Sequence, residues 1–355
     1  MKSSIDKVLL GSVLVLVAFG ILMVYNASVV EAFSRFSDKF YFAKLQLRWV
    51  ALGLVSLFIT SYIPYQKLAK VSLPLFLISL FLLIVVLIPG VGVKVQGARR
   101  WLSFGPLTLQ PAEIVKLTFV LYLASWLEKH QSFWPFMLLS GIVLGLVVLE
   151  PDLGTAVVIT TTGFLVYFLS GAPLFALIIL GLTGFLVSLI LILSSGYRKA
   201  RLLTFFNPTQ DPLGTSYHIR QILIALGSGG LFGLGIGRSR QKYAYLPQAT
   251  TDSIFAIIAE ELGFLGAAAV IALVLLVMYR GFKIASHSPN RLGQLLAGGI
   301  TSWLGLQAFI NLASMVVIVP LTGVPFPFIS YGGSSLFISL TAIGILLNIS
   351  RFTKP

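Results

Sequence analysis

The sequence predicts an all-α polytopic membrane protein. A single integral membrane domain spans 1–355, with about ten transmembrane helices and one long loop at about 195–251. Three observations predict this. The 355 residues are 57% hydrophobic and 10% charged, against roughly 25% charged in a soluble domain. The mean hydropathy is +0.97. Apolar runs of about 20 residues, enough to cross a bilayer, recur along the whole chain.

In order, the candidate spans are roughly 8–29, 46–63, 71–89, 107–127, 133–149, 153–170, 173–194, 252–279, 293–319 and 333–350. Met1–Lys7 is a short basic leader. The apolar run behind it is too long for the core of a signal peptide, so it reads as an uncleaved anchor. An even number of spans puts both termini on one side. The long loop contains Asn207-Pro208 and Asp211-Pro212 turns. Its amphipathic stretch Tyr217–Leu226 predicts a short helix on the membrane surface. The glycines of Gly227–Gly237 allow either close backbone approach or tight packing against a helix. Pro320–Ser335 holds three prolines and three glycines and cannot be a regular helix. Irregular backbone at membrane depth must be buried in protein or line a wet cavity. Ser330, Tyr331, Ser334 and Ser335 are therefore candidates for a cavity wall.

The charge balance is basic, 25 Lys and Arg against 11 Asp and Glu, for a net +14. That excess suits an anionic partner: acidic phospholipids, or a phosphate-bearing lipid substrate. Nucleic acid is not an expected partner, because the cations sit in short loops between spans. There is no cysteine, so no disulfide or thiolate site. His130, His218 and His287 are far apart, and no phosphate-loop, dinucleotide or His-Glu-x-x-His motif occurs.

With carboxylates so scarce, each one at a membrane edge calls for a reason. Asp252 ends the long loop in Tyr245-Leu-Pro-Gln-Ala-Thr-Thr-Asp252. It reads either as a helix cap shared with Thr251 or as a general base facing the far side of the membrane. Glu260 and Glu261 follow about two turns later, roughly 80° and 180° from Asp252 on a helical wheel. They are not an acid–base pair with it. An ion pair from one of them to Lys116, inside the fourth span, would satisfy both charges. Glu150-Pro-Asp152 sits between the fifth and sixth spans, either capping the next helix or binding substrate or metal. Arg99 and Arg100 precede Trp101 and offer two guanidinium forks to phosphate oxygens.

These pieces together resemble the SEDS family of peptidoglycan glycosyltransferases, the FtsW and RodA group. The matching segments are Gly97-Ala-Arg-Arg-Trp-Leu102, Gln110-Pro-Ala-Glu113-Ile-Val-Lys116-Leu117, Glu150-Pro-Asp-Leu-Gly-Thr155, Tyr245–Gly263 and Asn311–Ser335. They stand in family order over nearly the whole chain. Phe328-Ile-Ser-Tyr-Gly-Gly-Ser-Ser335 looks more like the division member FtsW than the elongation member RodA. Gln248 and Thr250 stand where the family usually has glutamate and histidine.

The resemblance implies a ten-span bundle in the bacterial cytoplasmic membrane, with cytoplasmic termini and an extracytoplasmic loop at 195–251. It implies Asp252 as catalytic base and lipid II, a disaccharide-pentapeptide on undecaprenyl pyrophosphate, as substrate. Candidate substrate-binding residues are Arg99, Arg100, Lys116, Asp152, Arg198, Arg201, Arg220, Arg238, Arg240, Lys242, Ser330 and Tyr331. Glu113, Glu150, Glu260 and Glu261 are structural or functional carboxylates. A divalent cation (Mg or Mn) is an optional helper at the pyrophosphate. A single-span class B penicillin-binding protein is the implied partner. The alternative function is a flippase for the same lipid-linked precursor.

Overall fold

In the computed structural model, residues 4–95, 98–105, 107–206, 216–243 and 245–353 are described. Gly97, the Asn207-Pro208 and Asp211-Pro212 turns, and the leader residues 1–3 lie outside them.

The chain is mostly helical. It runs α1 (Lys7–Phe36), α2 (Tyr41–Tyr62), α3 (Tyr65–Lys70) and α4 (Ser72–Leu87), then strands β1 (Gly92–Val95), β2 (Ala98–Phe104) and β3 (Leu107–Leu109). There follow α5 (Pro111–Leu127), α6 (Phe133–Leu149), α7 (Leu153–Leu169), α8 (Leu174–Leu193), α9 (Gly196–Phe206), α10 (Tyr217–Ser228), α11 (Ile254–Ser286), α12 (Arg291–Met315) and α13 (Gly333–Ser350). Every predicted span overlaps a helix. Six, namely α1, α2, α8, α11, α12 and α13, are long and apolar enough to cross a membrane, while α4, α6 and α7 are shorter apolar helices.

Two expectations change. The segment 107–127 does not begin as a helix: β3 occupies 107–109 and α5 starts at Pro111. Proline suits a first helical position, where its missing N–H is not needed. The connection before it is an antiparallel sheet in the order β1-β2-β3. The second change concerns the long loop, which carries helix α9 as well as the predicted amphipathic one.

Burial sets the layout. In α13, 89% of the apolar window is buried, against 11% in α8, so α13 is central and α8 peripheral. Small residues let α13 lie close to α2, as expected where apolar surface alone does not drive helices together. Gly53 meets Leu340, and Gly344 meets Leu57 and Thr60. Thr60 Oγ1 donates to the Thr341 carbonyl at 3.1 Å, and the Ser56 and Thr341 hydroxyls are 2.7 Å apart.

α11 is two helices joined at Gly263, where φ is 66° and ψ −168°. A break leaves carbonyls and amides unpaired, which is costly at membrane depth. The glycine-rich loop supplies the partners. Leu234 N donates to Glu260 O at 3.0 Å and Gly235 N to Glu261 O at 2.9 Å. Phe264 N and Leu265 N donate back to Gly230 O and Leu231 O at 2.8 and 3.2 Å. A Cβ at Gly229 or Gly233 would strike the carbonyls of Ala259 and Glu261. Both sequence readings of these glycines hold, since the close backbone approach is itself packing against helix α11. α10 packs on α11 as well, burying Ile219, Ile222 and Ala225.

Candidate active site

Asp252 lies just ahead of α11. The N-cap position is Ser253, and no side chain makes a cap hydrogen bond. Neither Thr251 nor Asp252 caps the helix, because the preceding chain turns sharply. Gln248 adopts φ 55°, and its carbonyl accepts both Thr251 N and Ser253 N at 3.1 and 3.2 Å.

The backbone here is held by α12 and by the irregular segment between α12 and α13. Tyr331 N donates to Thr250 O at 2.8 Å. Ser330 Oγ donates to Thr251 O, and Asn311 Nδ2 to Asp252 O at 2.8 Å. Three successive carbonyls are thus fixed from one side. Asn311 Nδ2 also binds Val324 O at 2.8 Å, tying the strap to the site. Among the described residues the Asp252 carboxylate accepts a side-chain hydrogen bond from Thr251 Oγ1 at 3.0 Å. An ionised carboxylate offers about four acceptor positions, so capacity remains. Gly323, at φ 74°, lies against Oδ2. Burial raises the Asp252 pKa above the usual carboxylate value, while the Thr251 hydroxyl and the Arg201 charge pull the other way.

Arg201 reaches the same place from α9, donating to Leu321 O at 3.0 Å. His218 on α10 joins it, with Nε2 2.8 Å from Ser253 Oγ. Burial, with Arg201 adding to it, holds the imidazole pKa down at about 4, so the ring is neutral at pH 7. Sequence reading tested His218 only for metal spacing. The available signal was its place as a polar residue in the otherwise apolar-faced 217–226 helix.

A second cluster sits across the strap. A Cβ on Gly154 would meet the Thr322 carbonyl and the Val324 side chain, so the start of α7 backs directly onto the segment lining Asp252. Here Asp152 caps α7, accepting Thr155 N and Thr155 Oγ1 at 3.0 Å each, and takes Gln110 Nε2 at 3.1 Å. Gln110 N in turn donates to Ser334 Oγ at 3.0 Å. Of the two readings of Asp152, the capping one holds. Arg100 donates to the carbonyls of Glu150 and Pro151. The Glu150 carboxyl is fully buried, and neither oxygen has a hydrogen-bond partner among the described residues.

Other predicted residues lie elsewhere. Lys116 does not pair with Glu260 or Glu261. Its Nζ is 2.6 Å from Glu113 Oε2 one turn back on α5, and 2.8 Å from Gln307 Oε1. Partners three residues apart on one helix face need no second helix. As Lys116 is buried with these neighbours, it is a structural cation and not an open substrate ligand. Glu260 and Glu261 hold the glycine-rich loop. Glu260 accepts Ser239 Oγ and Arg240 N. Glu261 accepts Gly237 N, Ser239 N and Asn26 Nδ2, with Lys242 Nζ at 3.4 Å. Lys242 is buried there and also donates to Asn26 Oδ1 and Gly237 O. Arg198 donates to Leu191 O at 3.1 Å. Arg99 is half-buried on β2, and Arg220, Arg238 and Arg240 are exposed. Among the described residues no three His, Asp or Glu groups converge to hold a metal.

Comparison with known proteins gives the family. The profile of the FtsW/RodA/SpoVE family, described as cell cycle protein, matches residues 6–355. The chain is 41% identical to stage V sporulation protein E of Bacillus subtilis, over 99% of each chain. It is 42% identical to a probable peptidoglycan glycosyltransferase FtsW of Coxiella burnetii, covering 99% of this chain and 97% of that one. A solved chain from a peptidoglycan synthase complex that coordinates polymerization and crosslinking superimposes with a TM-score of 0.79 at 30% identity, covering 98% of both chains. Thermus thermophilus RodA gives 0.71 at 30% identity, covering 98% of this chain and 97% of that one. These names do not favour a flippase. The chain belongs to the FtsW/RodA/SpoVE family of cell cycle proteins.

Proposed function

We propose that this protein is a peptidoglycan glycosyltransferase that polymerises lipid II at the outer face of the bacterial cytoplasmic membrane, with Asp252 as general base. One observation carries the reading. The backbone of 250–252 is immobilised from the strap and α12, while the Asp252 carboxylate keeps acceptor capacity and spends none of it on a helix cap. Fixing a base while leaving its lone pairs free is what proton abstraction requires.

Asp252 takes the proton of the acceptor sugar's 4-hydroxyl. That oxygen attacks the anomeric carbon of the donor, and the bond to the lipid pyrophosphate breaks, the electron pair leaving with the phosphate. The retained proton then passes to solvent. Arg201, anchored on the strap carbonyl of Leu321, is the cation best situated to face the leaving pyrophosphate. The exposed Arg220, Arg238 and Arg240 offer further charge along the path of the lipid. The raised Asp252 pKa makes it a stronger base than an ordinary carboxylate.

In this reading ten helices span the bilayer, the termini are cytoplasmic and the 195–251 segment is extracytoplasmic. The names of the FtsW relatives support a division-type role over elongation. The similarity to a chain of a synthase complex supports a class B penicillin-binding protein as partner. The test is polymerisation of lipid II by purified protein. Asp252→Asn, which keeps the shape of the side chain, should lower the rate about 10²–10⁴-fold. A folded variant with wild-type rates removes Asp252 as the base.

A further inference from the structure

The ends of three helices enclose a cavity far from the site above. It lies where α1 begins and where α11 and α13 end, with a volume of about 340 Å³. Its charged lining is Asp6, Lys7, Arg280 and Lys283, beside His287 and Ser350.

The one acidic group is already used. Asp6 Oδ2 is 2.6 Å from Arg280 Nη2, and Oδ1 accepts Leu9 N at 2.9 Å. Asp6 N donates to Ser350 Oγ at 3.1 Å, which fixes the wall to α13. The Lys7 and Lys283 ammonium groups make no hydrogen bond or ion pair among the described residues. Three cations against one carboxylate leave the cavity at a formal +2.

Helix-end electrostatics explain only part of this. Lys283 lies in the last turn of α11, where a cation is favoured. Lys7 is the first residue of α1, at the positive end of the helix, where a cation is disfavoured. A cation placed there beside a second unpaired one calls for an anion between them. The lining is also apolar in part, with Ile5, Val8 and Ile284 beside the charged groups and Val8 exposed. A cationic cavity with apolar residues in its wall matches a headgroup with acyl chains attached better than it matches a free ion.

We infer that this cavity binds the phosphodiester headgroup of an anionic phospholipid, held by Lys7, Lys283 and Arg280, with the acyl chains leaving past the exposed Val8. The inference stands apart from the catalytic reading, because it uses none of the same residues.

The test is lipid retention on the purified full chain, passed through vesicles of phosphatidylglycerol or phosphatidylcholine and then measured by native mass spectrometry. Wild type should retain phosphatidylglycerol in preference to phosphatidylcholine. The double variant Lys7→Gln/Lys283→Gln should lose that preference roughly 30-fold, at about tenfold per 1.4 kcal/mol and about 1 kcal/mol for each cation near an anionic headgroup. Lys7→Arg/Lys283→Arg, which keeps charge, should restore it and controls for folding. Equal retention of both lipids, or undiminished phosphatidylglycerol binding by the Gln variant, overturns the inference. So does a melting shift with inorganic phosphate in the absence of any phosphatidylglycerol preference, which would make the site one for a free anion.

Discussion

Replacing Glu150 by Gln should remove a pH-dependent loss of stability. Glu150 closes α6, is fully buried, and offers both carboxyl oxygens to no donor among the described residues. Its pKa is pushed up from 4.5 to about 9, chiefly by burial, with the Asp152 charge adding and Arg100 opposing. Arg100 does little to neutralise it because the guanidinium is committed to the backbone carbonyls of 150 and 151. The folded chain therefore keeps a proton that the unfolded chain releases. Stability is fully present below about pH 4.5, falls as pH rises through the window, and levels off above about 9. The slope is about 1.36 kcal/mol per pH unit. From pH 5 to pH 8 the wild type should lose about 4 kcal/mol that Glu150→Gln keeps. Over 355 residues, at about 2.1 cal/mol/K each, that is a difference of about 5 °C in melting temperature. The assay is thermal unfolding of both detergent-solubilised proteins, side by side, at three pH values. The offset should grow with pH in favour of the variant. Parallel curves would refute the reasoning, since Glu150 would then ionise as freely in the fold as outside it.

Two further outcomes follow from the same geometry. The acid limb of the polymerisation rate should sit above the ordinary carboxylate range, because burial raises the Asp252 pKa and only the ionised form accepts the proton; a limb at or below that range counts against this base. Glu261→Ala should destabilise the protein by about 3–5 kcal/mol, since it strands buried Lys242 and unties the amides of 237 and 239, and limited proteolysis should open the 229–242 loop first; an unchanged melting curve and cleavage pattern would contradict the clamp.

The spans were legible because a bilayer imposes one requirement, length of apolar chain, that composition reports directly. The strap at 320–335 was legible for a related reason: prolines and glycines at that density exclude a helix whatever surrounds them. Asp252 stood out through scarcity. Its relation to the helix was not legible, because capping depends on the φ of Gln248, and a polar residue gives no sign in sequence that it turns left-handed. The partners of Lys116, Glu260 and Glu261 were misassigned for a similar reason. An ion pair across two helices and one within a single turn fit the same sequence, and the loop that claims both glutamates does so mainly through backbone amides, which every residue has. The sheet at 92–109 went unread because short strands beside long apolar runs add little periodicity of their own.

The break at Gly263 joins these separate facts. An unbroken helix from 254 would satisfy its own carbonyls and have no need of the 229–242 loop. Broken, it must borrow amides from that loop, and Glu260 and Glu261 then fix the loop a second time through their side chains. The loop leads through 245–251 straight to Asp252, so its anchoring determines where the chain enters the site. On the other side the strap grips the carbonyls of 250 and 251, and Asn311 of α12 that of 252. The short first half of α11 is therefore clamped at both ends, and the carboxylate is left as the unclamped group between them. Two buried glutamates that hold the loop are in this way tied to the position of Asp252, the proposed base.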